Sequence, residues 1–195
     1  LALQGKELMD QKLFSDAAEK LAASLKKDPK QQLALIKTAE LAIRNGDYQE
    51  AFEYSKKIIS FDAHDAEANY YYGLSAAHLN KEADAIDGFS VASMGVEYRS
   101  AAFVEIAKRH AKQKNWIAVL DYANKAIEYN SMNSVANCLK IIAYRQTGNI
   151  DGYKSALDQF GKGQPLHPFY KWESASGKIL LKNELSEESL FELST

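Results

Sequence analysis

The sequence predicts an all-α solenoid in which helical hairpins of one length stack side by side. Three observations lead to this fold class. Apolar and small residues recur at helical spacing along most of the chain. Short turns rich in glycine and asparagine separate the helical segments. The whole pattern repeats every 34 residues over five units without insertion or deletion. Because one hairpin cannot bury its own apolar face, the units are expected to share a continuous core.

The stretch 45–62, NGDYQEAFEYSKKIISFD, shows the pattern of one turn and one helix. Asn45 and Gly46 signal a tight turn, because both tolerate backbone angles that other residues resist. Asp47 is the predicted helix N-cap, and Glu50 would complete a capping box. Positions 51, 52, 55, 58 and 59 are apolar or small, which is typical of a helix with one buried face.

The predicted helices form five pairs, with unit boundaries at 1–31, 32–65, 66–99, 100–133 and 134–163. The pairs are Leu1–Gln11 with Ser15–Lys27, Gln32–Arg44 with Tyr48–Phe61, Ala66–Leu79 with Glu82–Met94, Ser100–Gln113 with Trp116–Tyr129, and Ser134–Thr147 with Ile150–Phe160. Pro29 stops the first pair and Gly95 is the predicted C-cap of the third.

After residue 160 the repeat pattern weakens. Gly161, Gly163, Pro165 and Pro168 predict a break in the chain. We interpret 164–195 as a C-terminal capping segment with a short acidic helix from Ser186 to Leu193. The alternative is that this segment starts a further unit.

Several columns of the 34-residue register are restricted in residue type. One column is mostly small, with Gly5, Ala39, Gly73, Ala107 and Ile141, and so is a second, with Ala17, Ala51, Ala85, Val119 and Tyr153. A third is mostly aromatic, with Phe14, Tyr48, Glu82, Trp116 and Ile150, and a fourth consists of Leu21, Ser55, Phe89, Ala123 and Leu157. Over roughly residues 1–165 these columns resemble the tetratricopeptide repeat. Three residues depart from the family pattern, Glu82 in the aromatic column and Ile141 and Tyr153 in the small ones.

The resemblance implies a right-handed superhelix whose concave groove is lined by the first helix of each pair. The residues that it implies for partner binding are Lys37, Glu40, Arg44, Tyr70, Tyr71, Leu74, His78, Lys108, Lys112, Ile142 and Arg145, with Glu67, Val104, Glu105 and Leu139 beside them. Such a mixed surface suits an extended peptide or a helix, since apolar anchors give affinity and charges give register. The alternative is that these residues are the solvated faces of a structural spacer.

Aromatic residues allow more than one interpretation. By helical angle Tyr72 faces the core, whereas Tyr70 and Tyr71 face the groove, either as packing between adjacent helices or as a ligand platform. Trp116 is predicted in the core, and Trp172 is predicted to pack within the cap, together with Phe169 and Tyr170.

Composition argues against several other function classes. The chain has 46% hydrophobic and 26% charged residues with a net charge of −2, so no basic field predicts nucleic-acid binding. No apolar run reaches the roughly 18 residues that a membrane span needs. The four histidines lack metal-ligand spacing, no glycine-rich phosphate loop or acid–base pair stands out, and neither a catalytic residue nor a cofactor is predicted. Cys138 stands alone, which fits a soluble protein of the cytoplasm and does not exclude the periplasm.

The sequence therefore predicts a non-enzymatic scaffold that binds a protein or peptide partner. The alternative is a C-terminal repeat appendage of a larger, carbohydrate-acting bacterial enzyme. That alternative rests on the absence of an initiator methionine, which suggests a fragment, and on a short similarity of the stretch 165–173, PLHPFYKWE, to repeat tails of such proteins. An uncapped first unit would also allow a homo-oligomer.

Overall fold

The computed structural model describes the backbone of residues 1–184 and the side chains of residues 1–176, and all regular structure in this part is helical. Its helices are α1 (Ala2–Asp10), α2 (Phe14–Lys27), α3 (Gln32–Asn45), α4 (Tyr48–Ile59), α5 (Ala66–His78), α6 (Glu82–Ala92), α7 (Arg99–Lys112), α8 (Trp116–Tyr129), α9 (Ser134–Gln146), α10 (Ile150–Gly163) and α11 (Pro168–Glu184). The predicted all-α fold is confirmed.

Successive helices pack against one another from α1 to α11, as expected for a solenoid of hairpins. Contacts between first helices of neighbouring pairs add to this, since α1 packs on α3, α3 on α5, and α7 on α9. The second helices make no comparable contacts with one another in the described part of the chain. The first helices are therefore closer together and lie on the concave side of the stack.

Small residues permit the close approach of the two helices of each pair. Ala17, Ala51 and Ala85 are completely buried, as their recurring column predicts. A Cβ atom at Gly73 would lie 2.8 Å from ring carbons of Phe89, and one at Gly5 would lie 2.7 Å from Leu21, so large residues pack directly onto glycines in these two units. The 34-residue pattern thus reflects interlocking of large and small side chains between helices.

Gly88 gives the sharpest test of this close approach. A Cβ atom there would lie 2.8 Å from the carbonyl oxygen of Asn69 and 2.9 Å from the amide nitrogen of Gly73. Because both neighbours are backbone atoms, we expect Gly88→Ala to force α5 and α6 apart and to lower the free energy of unfolding by about 2 kcal/mol. Urea denaturation followed by circular dichroism measures this change.

Gly163 is the matched control, because a Cβ atom at this helical glycine would meet nothing within 4 Å. Gly163→Ala is expected to leave the free energy of unfolding unchanged or to raise it by up to about 1 kcal/mol, since alanine favours helix more than glycine. Equal destabilisation by the two substitutions would contradict the close-packing argument.

Three predicted helix-end features are wrong. The side chain of Asp47 makes no capping hydrogen bond, and the turn depends instead on Gly46, which has φ 85° and ends α3. Helix α6 ends at Ala92 with Ser93 as C-cap, so Gly95 is not the cap. Helix α10 continues to Gly163 instead of ending at Phe160. Gly161 does not break the helix as predicted. A glycine is needed at this position because the ring of Tyr170 packs where a side chain would lie.

Helix α11 begins 34 residues after α9 and therefore stands in the repeat register, where the sequence analysis placed a cap. The division of the chain into five units and a capping segment stays a prediction, and the helix predicted from Ser186 lies outside the described residues. Phe169 and Tyr170 pack against Phe160 as predicted. Trp172, in contrast, is 57% exposed, and Trp116 is only half-buried.

Glu82, the exception in the aromatic column, faces a buried arginine of the next unit. Glu82 starts α6, and its carboxylate lies 3.8 Å from the guanidinium of Arg109 on α7. Arg109 is buried, so this polar pair occupies a place between neighbouring units that aromatic packing fills elsewhere.

Candidate functional site: the concave groove

Three charged residues form the best-defined polar network of the groove. The ammonium group of Lys37 on α3 lies 2.8 Å from a carboxylate oxygen of Glu40, one turn later, and 2.9 Å from one of Glu67 on α5. Burial acts to lower the pKa of Lys37, but the hydrogen bonds to both carboxylates outweigh this effect and the pKa is raised. The network therefore connects two neighbouring units. Within it, the positive charge of Lys37 neutralises part of the negative charge of Glu40 and Glu67.

Tyrosines lie next to this network. The rings of Tyr70 and Tyr98 are 5.2 Å apart, and Tyr71 lies edge-on to Tyr70 at 6.1 Å. Burial, and then the carboxylates of Glu40 and Glu67, raise the pKa values of Tyr71 and Tyr98. The hydroxyls of these three tyrosines are therefore neutral at physiological pH. They can donate hydrogen bonds, and the neighbouring carboxylates can accept them.

Half-buried packing and the groove position of Tyr70 are both realised. Its ring contacts Phe89 of the core at 5.9 Å, and burial followed by the charge of Glu105 raises its pKa to about 12. Tyr72 points to the other side of α5 and stacks on Phe52 at 4.7 Å, in line with its predicted core position. Tyr70 therefore connects the groove surface to the core beneath it.

The part of the groove formed by α7 and α9 is less polar. Lys108 pairs with Glu105 at 2.6 Å, and Lys112 is exposed at the end of α7. Val104 on α7 is buried, while Leu139 and Ile142 on α9 are half-buried, as is Leu74 on the neighbouring α5. The groove thus passes from a tyrosine and carboxylate region on α3 and α5 to an aliphatic region on α7 and α9.

Three predicted groove residues are engaged by other parts of the chain. The guanidinium of Arg44 lies 4.2 Å from the ring centre of Phe14, and His78 stacks on Tyr48 at 3.9 Å. Both contacts join the end of a first helix to the aromatic residue that starts the second helix of the preceding unit. Arg145 forms an ion pair with Glu173 of α11 at 2.8 Å. These side chains hold neighbouring units together.

Tyr98 is a groove residue that sequence reasoning missed. It lies in the loop just before α7, outside the helical positions from which the groove was inferred. The signal available in the sequence was its place two residues before the start of the fourth unit, at the end of the third unit, to which Glu67 and Tyr70 also belong.

Potential metal ligands among the described side chains are dispersed. No group of three His, Cys, Asp or Glu residues among them is arranged to hold a metal ion. Burial, and then the nearby Glu173, raise the pKa of the Cys138 thiol to about 11, so it is protonated at neutral pH. Among the described helices, none is long and apolar enough to cross a membrane.

Comparison with known proteins agrees with this architecture. A tetratricopeptide-repeat family model matches residues 3–64, and no curated protein matches the chain. The chain is similar in structure to PilW, a widely conserved type IV pilus biogenesis factor, with 19% identity, a TM-score of 0.76, and coverage of 100% of this chain and 96% of that one. It is also similar to PilF of Pseudomonas aeruginosa, with 17% identity, a TM-score of 0.75 and the same coverage.

A third similar structure is YrrB, described as a repeat protein with an unusual peptide-binding site. It is 16% identical, with a TM-score of 0.69 and coverage of 88% of each chain. At these identities the likeness shows the fold alone.

Proposed function

Since residues 3–64 match the tetratricopeptide-repeat family and the helices stack as hairpins, we propose that the chain is a non-enzymatic scaffold whose concave groove binds an extended peptide or a helix of a protein partner. The observation that carries this proposal is the network that joins Lys37, Glu40 and Glu67 beside the tyrosines of α5. These side chains hold one another in place before any partner arrives, so less side-chain entropy is lost on binding.

The two regions of the groove suit different parts of a partner segment. Tyr70, Tyr71 and Tyr98 offer large amphipathic rings with hydroxyl donors, which suit backbone and polar contacts. Leu139 and Ile142 on α9 offer aliphatic surface for an apolar anchor. Charged pairs beside these surfaces would fix the register of the segment.

Substitutions at Tyr71 and Lys108 test the proposal. Peptides selected from a random display library on the wild-type chain supply the probe, and calorimetry measures their affinities. We expect Tyr71→Ala and Lys108→Glu each to weaken binding by about 10-fold to 100-fold, because the first removes a central ring and the second reverses a charge in the groove.

The chain offers a matched control for each variant. Tyr54 packs against the same core cluster as Tyr71 but belongs to α4, a second helix, so Tyr54→Ala should lower stability without lowering affinity. Lys125 forms an exposed pair with Asp121 on α8 at 2.7 Å, whereas Lys108 pairs with the less exposed Glu105 in the groove, so Lys125→Glu should bind normally. If the selected peptides survive both groove substitutions, the concave face is not their site.

A further inference from the structure

Three tyrosines form a continuous aromatic surface in the concave groove. We call Tyr70, Tyr71 and Tyr98 the tyrosine patch. The ring centre of Tyr70 lies 6.1 Å from that of Tyr71 and 5.2 Å from that of Tyr98. All three residues are half-buried, so the patch remains partly accessible. The faces of aromatic rings carry partial negative charge and attract cations, so the patch is suited to a positively charged group of a partner.

The carboxylates of the adjoining network are more accessible than its ammonium group. The side chain of Lys37 is 14% exposed, whereas the side chains of Glu40 and Glu67 are 33% and 26% exposed. The two carboxylates also exceed the one ammonium group by one negative charge. A partner segment that enters this part of the groove therefore meets carboxylate oxygens, while Lys37 is largely covered.

On α7, the next first helix, the order of exposure is reversed. The side chain of Lys108 is 40% exposed and that of its partner Glu105 only 12%. Lys112, one turn later, is exposed as well. The surface that the groove presents thus changes sign, from negative beside the tyrosine patch to positive along α7. A positively charged group of a partner is attracted to the first region and repelled by the second.

Arg99 is the basic neighbour of the tyrosine patch in the sequence, but its guanidinium is engaged elsewhere. It donates from Nε to the carbonyl of Ser93 at 2.8 Å and from Nη2 to that of Met94 at 2.7 Å. It also lies 4.7 Å from the ring centre of Tyr129 at the end of α8. The positive charge of Arg99 is therefore held at the loop between α6 and α7 and not at the patch.

The pKa values of the tyrosine patch agree with a negative potential at this place. Burial is the largest cause of the raised pKa values, and the charged side chains that add to it from outside the patch are carboxylates. They belong to Glu40, Glu67, Glu97 and Glu105. The same carboxylates would stabilise a cation that lies on the rings.

We propose that the partner segment of the groove carries a lysine or arginine whose charged end docks on the tyrosine patch beside Glu40 and Glu67. This inference rests on the proposed function, since it specifies the chemistry of the partner that the groove binds. The aliphatic stem of such a side chain can cover the rings while its charged end reaches the carboxylates. An acidic side chain at the same place would face the two exposed carboxylates and would be repelled.

Replacement of the basic residue in bound peptides tests this chemistry directly. The probes are the display-selected peptides whose affinity falls with Tyr71→Ala. We expect them to share a lysine or arginine at which norleucine weakens binding by about 10-fold in calorimetry. Norleucine keeps an aliphatic stem and removes the charge, so the loss reports the charge itself. Added salt should weaken the parent peptide more than its norleucine counterpart.

Glu67→Gln tests the carboxylates, because glutamine has nearly the same shape and no charge. It should weaken the parent peptide about 10-fold and change the affinity of the norleucine peptide by less than about 2-fold. A merely structural effect would weaken both peptides equally. Glu53→Gln is the matched control, since Glu53 is exposed on α4, where it accepts a hydrogen bond from Gln49 at 2.9 Å. It should leave both affinities unchanged.

Two substitutions of Tyr98 test the aromatic ring. Tyr98→Phe keeps the ring face and should preserve the ratio between the affinities of the parent and norleucine peptides. Tyr98→Leu removes the attraction of the ring for a cation and should lower this ratio about 3-fold to 10-fold. Both variants lose the hydroxyl, so the difference between them reports the ring.

The outcomes distinguish this inference from the proposed function. If no selected peptide depends on Tyr71, both are wrong. If the peptides depend on Tyr71 but bind equally well after every norleucine replacement, the groove binds a segment and the assignment of a cation to the patch is wrong. The same conclusion follows if Glu67→Gln weakens the parent and norleucine peptides equally, or if Tyr98→Leu leaves their ratio unchanged.

Discussion

Replacement of Phe89 by alanine is expected to lower the free energy of unfolding by about 3–5 kcal/mol, which is a large fraction of the stability of a domain of this size. Phe89 is completely buried and belongs to a core cluster that contains Phe52 of α4 and Ala102 and Ile106 of α7. The ring therefore joins three consecutive units, so its loss removes contacts on both sides of the third. Urea denaturation measured by circular dichroism gives the change.

The shape of the unfolding curve should change as well as its midpoint. Solenoid stability is approximately a sum of the units and the interfaces between neighbours, so a weak interface in the middle lets the two ends unfold separately. We expect Phe89→Ala to lower the apparent m-value together with the midpoint.

Two control variants accompany this prediction. Phe89→Leu keeps most of the side-chain volume and should lower the free energy of unfolding by less than about 1.5 kcal/mol. Ile117→Ala, on the exposed surface, should stay within about 0.5 kcal/mol of the wild type. A small change for Phe89→Ala would contradict the interlocked core.

The fold was predictable because one physical requirement recurs at a fixed interval in several units. Ala17, Ala51 and Ala85 must be small where two helices touch, and this requirement appears directly as a column in the sequence. Helix ends were predicted less well because their signals are ambiguous. Glycine can end a helix, but Gly161 instead allows an aromatic ring to approach a helix that continues, and only the position of Tyr170 distinguishes these roles.

The groove was predictable only in part, for a different reason. A periodic pattern identifies which face of a helix points inward, and Lys37, Glu40 and Tyr71, which it assigns to one surface, lie near one another. It does not indicate what a long side chain contacts at its far end. Arg145 lies on a groove helix, yet its guanidinium pairs with α11, a helix outside the five predicted pairs. Tyr98 was missed because loop residues have no period.

Arg145 gives the second large effect that we expect. Its partner Glu173 is completely buried, and the second carboxylate oxygen of Glu173 has no hydrogen-bond partner among the described residues. Arg145→Ala would leave a buried charge without its counter-charge, which typically costs about 3–5 kcal/mol. Helix α11 is held mainly by α10 and by this ion pair. Detaching α11 while the other helices stay folded should therefore cost less free energy than keeping the unpaired carboxylate of Glu173 buried. Hydrogen exchange should therefore show a loss of protection in 168–184 that exceeds the loss in α1–α8.

The comparison of three variants separates the role of the charge from that of packing. Arg145→Met combined with Glu173→Leu should restore protection of α11, because a buried ion pair can be replaced by apolar side chains of similar volume at little cost. Lys162→Ala removes an exposed pair with Asp158 in the neighbouring α10 and should leave α11 unaffected, since exposed pairs contribute little. If Arg145→Ala left α11 as protected as in the wild type, the ion pair would not hold it in place. If α11 stayed unprotected in the doubly substituted chain, the hydrogen bond between Arg145 and Glu173 would itself be required to hold α11. The cost of an isolated buried charge would then not explain the loss of protection.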